Sequence, residues 1–218
     1  MTLRIAIVGA ESTGKSWLAQ ALAACLGQRG LQARVVPESL RAWCEREGRT
    51  PRPDEQPGIA QLQMQAVLAM QADVVIADTT PLMTAVYSDY LFADDSLFGM
   101  ALNHQRLYQH TLVTGLDLPW VADGLQRDGP HVREPVDLRV RQALAAGGIA
   151  HAVVYGQGLQ RLNNALLALG WPPEDPGSWQ QREAGQFALD RGRVPWSCDK
   201  CSDPDCEHRL FTGLIRRS

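Results

Sequence analysis

Gly9 to Ser16 read GAESTGKS, a full match to G-x-x-x-x-G-K-[ST]. Each position has a mechanical job. The glycines let successive backbone N–H groups turn inward around phosphate oxygens, Lys15 reaches the β- and γ-phosphates, and the Ser16 hydroxyl is placed to hold Mg²⁺. The residues expected to contact a nucleoside triphosphate are Gly9, Glu11, Ser12, Thr13, Gly14, Lys15, Ser16 and Trp17. A Gly-rich turn with no ligand is the alternative, and the flanks decide against it. Leu3-Arg4-Ile5-Ala6-Ile7-Val8 before the loop is a short branched apolar run, as a buried parallel strand requires. After it, Leu18, Leu22, Cys25 and Leu26 recur at helical spacing. Strand, loop and helix in that order set the phosphates on a helix N-terminus.

Two carboxylates stand where such a site would need them. Val35-Val36-Pro37-Glu38 and Val74-Val75-Ile76-Ala77-Asp78 each end an apolar run in an acid, and open α/β sheets build their sites at strand C-termini. An acid ending a strand holds Mg²⁺ directly or through water. One of Glu38 and Asp78 can serve the metal while the other accepts a proton from an acceptor hydroxyl. The alternatives are a solvated strand-end carboxylate for Glu38 and a helix N-cap for Asp78, since a helix can follow Pro81. Arginine is the third requirement, because guanidinium groups stabilise charge on a transferring phosphoryl group. Arg127 and Arg133 lie in and after the polar Asp123–Pro130 stretch and are the lid candidates, whereas Arg139 and Arg141 read as solvated helix residues. Trp43, Tyr87 and Tyr90 are candidates to stack on a planar acceptor, although aromatics at helical spacing more often belong to a core.

The chain has five cysteines. Cys25 and Cys44 read as small buried hydrophobes. Cys198, Cys201, Cys206 and His208 form C-x2-C-x4-C-x-H, a set able to close a tetrahedral, structural Zn²⁺ site. The single residue between Cys206 and His208 is tight, so His104, His110, His131, His151, Asp203 or Asp205 can replace His208 as a ligand. A redox thiol pair or exposed tail cysteines are the alternatives. Metal would stabilise a polar, Pro/Gly-rich C-terminal stretch with little apolar content of its own.

These residues need a scaffold. A chain of 218 residues fits one α/β domain with a small appendage. Five apolar runs are candidate strands: Leu3–Val8, Ala33–Val36, Val74–Ala77, Thr111–Thr114 and Ala152–Tyr155. Helical patterning fills the gaps at Gln56–Ala72, Leu97–His110, Val136–Ala146 and Leu159–Leu169. Alternating strands and helices imply a five-stranded, mostly parallel sheet covered on both faces. Residues 1–172 read as this domain, and 173–218 as a cysteine-rich extension. The net charge of −3 and the lack of a basic run argue against nucleic acid as main partner. No apolar stretch approaches the ~20 residues of a membrane span, and a core strand opening within three residues of Met1 predicts no signal peptide. A cytoplasmic location is expected, and a homodimer is left open.

The ordered set GAESTGKS, VVPE, VVIADTT and WVADGLQR with a downstream arginine resembles the NadR-like family of P-loop ATPases and kinases, over residues 2 to 170. The resemblance implies a three-layer αβα P-loop fold, ATP and Mg²⁺ as cofactors, and a nucleoside-like acceptor such as ribosylnicotinamide. It carries ATP binding onto Gly9, Gly14, Lys15 and Ser16, acceptor and metal duties onto Glu38 and Asp78, and the lid onto the segment with Asp123 and Arg127. Glu38 to Trp43 also echoes the EP-x-x-x-W pattern of deoxyribonucleoside kinases, with Ser39 in place of the proline. The competing reading is a P-loop ATPase whose nucleotide state controls a protein partner. A nucleic-acid-linked ATPase with a zinc ribbon is a third, opposed by the acidic balance and by the lack of a second C-x-x-C pair.

Overall fold

The strands form where branched apolar residues run together. The computed structural model describes residues 2–120 and 130–190. Its strands are β1 (Leu3–Val8), β2 (Ala33–Val36), β3 (Val74–Asp78), β4 (His110–Thr114) and β5 (Ala152–Val154). They make one sheet in the order β2-β3-β1-β4-β5, and every pairing is parallel. Ile5 sits beside Ile76 on one side and His110 on the other, so β1 lies at the centre. From β1 the chain first moves outward to β2, and after β3 it crosses β1 to reach β4. The order therefore reverses around β1, which opens a crevice at its C-terminal end.

Right-handed crossovers then dictate which face each helix covers. α1 (Lys15–Gln28) and α7 (Gly158–Ala168) share one face, and α3 (Gln56–Ala69), α4 (Pro81–Phe92) and α6 (Arg133–Ala146) cover the other. Side chains alternate accordingly. Ile5, Ile7, Ile76 and Leu112 meet Leu18, Leu22 and Leu162 on the first face. Val8 and Val113 meet Leu82, Val86, Val136 and Val140 on the second, while the smaller Ala6 and Ala77 lie with Val67 and Tyr108. All five residues of β3 are buried, as expected of a strand covered on both faces. Truncating one of the fully buried leucines, such as Leu22, removes roughly 2–5 kcal/mol.

The remaining helices are α2 (Ser39–Glu47), α5 (Phe98–Gln105) and α8 (Pro176–Asp190). α2 ends on Gly48 at φ 67°, a left-handed stop. α4 starts with Thr80, whose side chain accepts from Leu82 N, followed by Pro81 in the first turn. This gives the N-cap to Thr80, where the sequence had offered Asp78.

Other differences from the sequence reading have local causes. The expected Leu97–His110 helix stops at Gln105, because Tyr108 turns into the core and His110 already belongs to β4. α3 ends at Ala69 rather than Ala72, where Met70 is extended and leads into β3. The stretch assigned to the extension contains α8. Its Trp179 packs against the α1–α7 cluster, and Arg182 makes a double hydrogen bond to the buried Glu174 at 2.6 and 2.5 Å. The cysteine-rich segment with Cys198, Cys201, Cys206 and His208 lies outside the described residues. No helix among the described residues is long and apolar enough to cross a membrane.

Candidate active site

The loop between β1 and α1 is shaped by close approach. Gly9 has φ 144°, and a Cβ there would lie 2.3 Å from Thr114 Oγ1. Gly14 has φ 74°, and its Cβ would press Leu118 at 2.9 Å. Side chains at these points would meet both a clash and an unfavourable backbone. Ser12 is also left-handed, at φ 50°. Polar contacts brace the loop from below. Thr13 Oγ1 donates to Ala10 O at 2.7 Å and lies 2.6 Å from Thr114 Oγ1. Lys15 Nζ donates to Ala10 O at 2.8 Å, which folds the lysine over the loop.

One brace was not found from sequence. Arg161 on α7 is 1% exposed, and its guanidinium donates to Thr13 O at 2.5 Å, Gly156 O at 2.8 Å and Asp117 Oδ1 at 3.3 Å. It ties the phosphate loop to the turns after β4 and β5. The signal was present: Arg161 falls in the same helical stripe as Leu162, Ala165 and Leu169, so a charge occupies a core position. Both terminal nitrogens of this buried charge are used, while its Nε has no partner among the described residues.

The two strand-end carboxylates come together through the sheet register. β2 and β3 are neighbours, with Val36 beside Ala77, so Glu38 and Asp78 lie at the same C-terminal edge of adjacent strands. Asp78 also lies beside Ile7, two residues before Gly9. Asp78 is 6% exposed, and its Oδ1 has no hydrogen-bond partner among the described residues. A buried carboxylate oxygen in want of a partner, beside a phosphate loop that carries the exposed Ser16, supplies the oxygen donors that Mg²⁺ takes. The residues present therefore fit that ion. Glu38 occupies the N-cap position of α2 without using its side chain to cap, and Arg41 Nε lies 3.7 Å from its carboxylate.

A cavity of about 410 Å³ opens between the phosphate loop and α2, lined by Glu11, Lys15, Glu38, Arg41, Cys44 and Tyr87 among others. Asp78 is not on its lining. Its far wall is the Thr50–Pro53 segment. Arg49 holds that segment by a two-pronged contact to Glu55 at 2.8 and 2.7 Å, with its guanidinium 4.8 Å over the Trp43 ring. The Arg49 hydrogen bonds, with the Arg52 backbone N–H second, hold the Glu55 carboxyl down at about 2. Burial, then Glu38 and Glu45, push the Cys44 thiol up to about 11, so it faces the cavity as a neutral thiol.

The other expected residues are placed as follows. Trp43 is buried with Cys44 and Ile59 and packs in the core. Tyr90 lies under Arg139 at 5.0 Å, which leaves Tyr87 as the aromatic of the three on the cavity. Trp17 is 40% exposed and meets the Trp179 ring edge-on at 6.0 Å. Arg133 is buried and donates to Leu116 O and Leu118 O at 3.4 and 2.9 Å, holding the loop after β4. Arg139 and Arg141, read as solvated, are instead paired with Asp89 at 2.9 Å and Asp137 at 2.7 Å. Arg127 and Asp123 lie outside the described residues. His104 is buried against Tyr108, and the described residues contain no cluster of three or more His, Cys, Asp or Glu able to hold a metal.

Comparison with known proteins places this architecture. The profile of a family described as AAA domain matches residues 4–161. No curated protein matches the chain. Among solved structures, a NadR protein in complex with NAD and AMP-PNP superposes with a TM-score of 0.60 at 18% identity, covering 77% of this chain and 48% of that one. A NadR protein in complex with NR gives 0.60 at 18% identity, covering 80% and 54%. The chain thus spans about half the length of these NadR structures. The thymidylate kinase of Ehrlichia chaffeensis matches at a TM-score of 0.51 and 14% identity, covering 78% of this chain and 96% of that one. These likenesses identify the P-loop fold and its nucleoside and nucleotide kinase neighbours.

Proposed function

The chain belongs to the AAA domain family, and on that premise we propose that it is a kinase moving the ATP γ-phosphoryl group to a hydroxyl of a nucleoside-like small molecule. The observation that carries this reading is the cavity of about 410 Å³ whose lining joins Lys15 of the phosphate loop to Glu38 just past the end of β2. That volume suits a small ligand, and the cavity opens where an acceptor would face a γ-phosphate held by Lys15. The NadR neighbour in complex with NR makes ribosylnicotinamide the first acceptor to try.

In this mechanism Lys15 leaves the Ala10 carbonyl and swings to the β- and γ-phosphates. Glu38 accepts the acceptor's hydroxyl proton as its oxygen bonds to the γ-phosphorus. The bond from that phosphorus to the bridging oxygen breaks, and ADP leaves with the electron pair. Ser16 and Asp78 would hold Mg²⁺, which supplies charge neutralisation for the phosphates. Arg127 is the proposed lid arginine, and Arg133 braces the segment leading into it. ADP release from Mg²⁺-ATP across a nucleoside panel tests the reading, with Lys15→Ala as control. Acceptor-dependent turnover that drops at least ~100-fold in the variant is expected. Nucleotide binding with no turnover on any acceptor would overturn it and favour a nucleotide-controlled regulatory module.

For the C-terminal segment we propose a structural Zn²⁺ held by Cys198, Cys201, Cys206 and His208. Metal analysis of the purified chain is expected to give about one zinc per chain, falling in Cys198→Ser/Cys201→Ser. A metal-free chain purified without chelator would sink this.

A further inference from the structure

Glu38 stands at a helix N-cap yet does not cap. The first backbone N–H groups of a helix need acceptors, and an N-cap side chain, where it caps, serves only those of the second or third helical residue. Here the Ser39 N–H, the first of α2, donates to Gln63 Oε1 at 2.7 Å, across 24 residues of sequence. The other end of the same amide is also used: Gln63 Nε2 donates to Thr79 O at 3.4 Å. Gln63 lies on α3 and is 3% exposed. One buried side chain therefore joins the residue after Glu38 to the residue after Asp78.

The second of these turns needs holding. Thr79 has φ 70°, a left-handed conformation that strains a β-branched residue. Its N–H donates to Ile7 O at 3.1 Å, and its carbonyl accepts from Gln63. Those two contacts keep the chain turning sharply between Asp78 and the Thr80 cap of α4. Both roles of the Gln63 amide are fixed by its partners, since a backbone N–H can only donate and a carbonyl only accept. A glutamate could take the Ser39 N–H but, ionised, could not serve Thr79 O.

We propose that Gln63 is a positioning residue: its one buried amide ties the backbone just after Glu38 to the backbone just after Asp78 and so sets the spacing of the two turns. The catalytic part of this inference rests on the kinase reading above, while the bridge itself does not. Small misplacements of reacting groups cost on the order of 100-fold in rate, and loss of partners behind metal ligands costs ~10- to 100-fold.

The experiment uses the full chain with Gln63→Met and Gln63→Glu. Amide hydrogen exchange at Ser39 is measured first, with thermal unfolding alongside to confirm folding. Gln63→Met is expected to speed Ser39 exchange ~10-fold or more while amides of β1 and β3 stay protected. Gln63→Glu is expected to keep Ser39 protected. Phosphoryl transfer to the best acceptor should then fall ~10- to 100-fold in kcat in both variants, with the KM for ATP within about threefold of the parent. Unchanged Ser39 exchange in a folded Gln63→Met would overturn the bridge whatever the activity. Faster exchange with unchanged kcat would reduce Gln63 to a helix cap and overturn its positioning role. A parent chain that phosphorylates no acceptor overturns the kinase reading. In that case the Mg²⁺ concentration needed to bind AMP-PNP takes the place of kcat: a rise of at least ~10-fold in both variants is expected, and an unchanged value overturns the spacing claim at Asp78.

Discussion

Glu38 and Asp78 differ in their surroundings. Asp78 is buried with an oxygen lacking a partner, off the cavity lining, whereas Glu38 borders the cavity with Arg41 near its carboxylate. A group that touches the acceptor is better placed to take its proton, and a buried strand-end oxygen is better placed to face a cation. Under the proposed mechanism, replacing Glu38 by Gln keeps the shape but removes the base. In Glu38→Gln we expect kcat to fall by ~10²–10⁴-fold, with nucleotide affinity unchanged. Steady-state kinetics with the identified acceptor decide it, and an unaltered kcat would hand the base role to Asp78. The phosphate loop was legible residue by residue because its function depends on local backbone shape. Arg161 and Gln63 were not, since each acts on residues far away in sequence, and only their polar character at buried helical positions hints at a task.

At the scale of elements, α8 changes the expected boundary. The sequence placed residues 173–218 apart from the nucleotide domain, yet α8 contributes Trp179 to the α1–α7 cluster and Arg182 to the buried Glu174. Trp179 also meets Trp17, which follows Ser16 directly in the first turn of α1. A helix so attached adds to the stability of the whole. Trp179→Ala should lower stability by roughly 1–3 kcal/mol, given that the ring is only partly buried, and the melting temperature by several degrees. An unchanged thermal midpoint would mean that α8 does not pack there in solution. Pro and Gly runs mark loops well, but the sequence cannot say whether a helix after such a loop returns to the same core. That return depends on an exposed Trp17 finding an edge-on partner about 160 residues later.

At the scale of the whole molecule, His104, at the opposite end of the sheet, contributes to acid stability. His104 is 2% exposed, and burial, with the nearby Arg4 charge second, holds its imidazole down at about 4. The unfolded chain takes up this proton near its ordinary value of 6.5, and the fold not until about 4. Unfolding therefore binds a proton within that window, and stability must fall as pH drops from 6.5 to 4. The loss from this group is on the order of 3 kcal/mol by the lower limit. Denaturant unfolding at several pH values should show a flatter slope in this window for His104→Leu, and an unchanged slope would show that other groups govern the acid limb.

Five strands in their observed places, the phosphate loop between β1 and α1, and the acids ending β2 and β3 were determined by sequence alone, because each depends on residues within one short window. Strand order was decided only in three dimensions. It places β2 and β3 side by side and makes Glu38 and Asp78 neighbours, though 40 residues separate them in the chain. Tertiary packing also turned Trp43 into core, paired Arg139 with Asp89, and left Tyr87 on the cavity wall. The physical reason is the range of the interactions: backbone shape and hydrophobic period are written locally, whereas which polar group meets which is settled by the surfaces that the packed sheet and helices bring together.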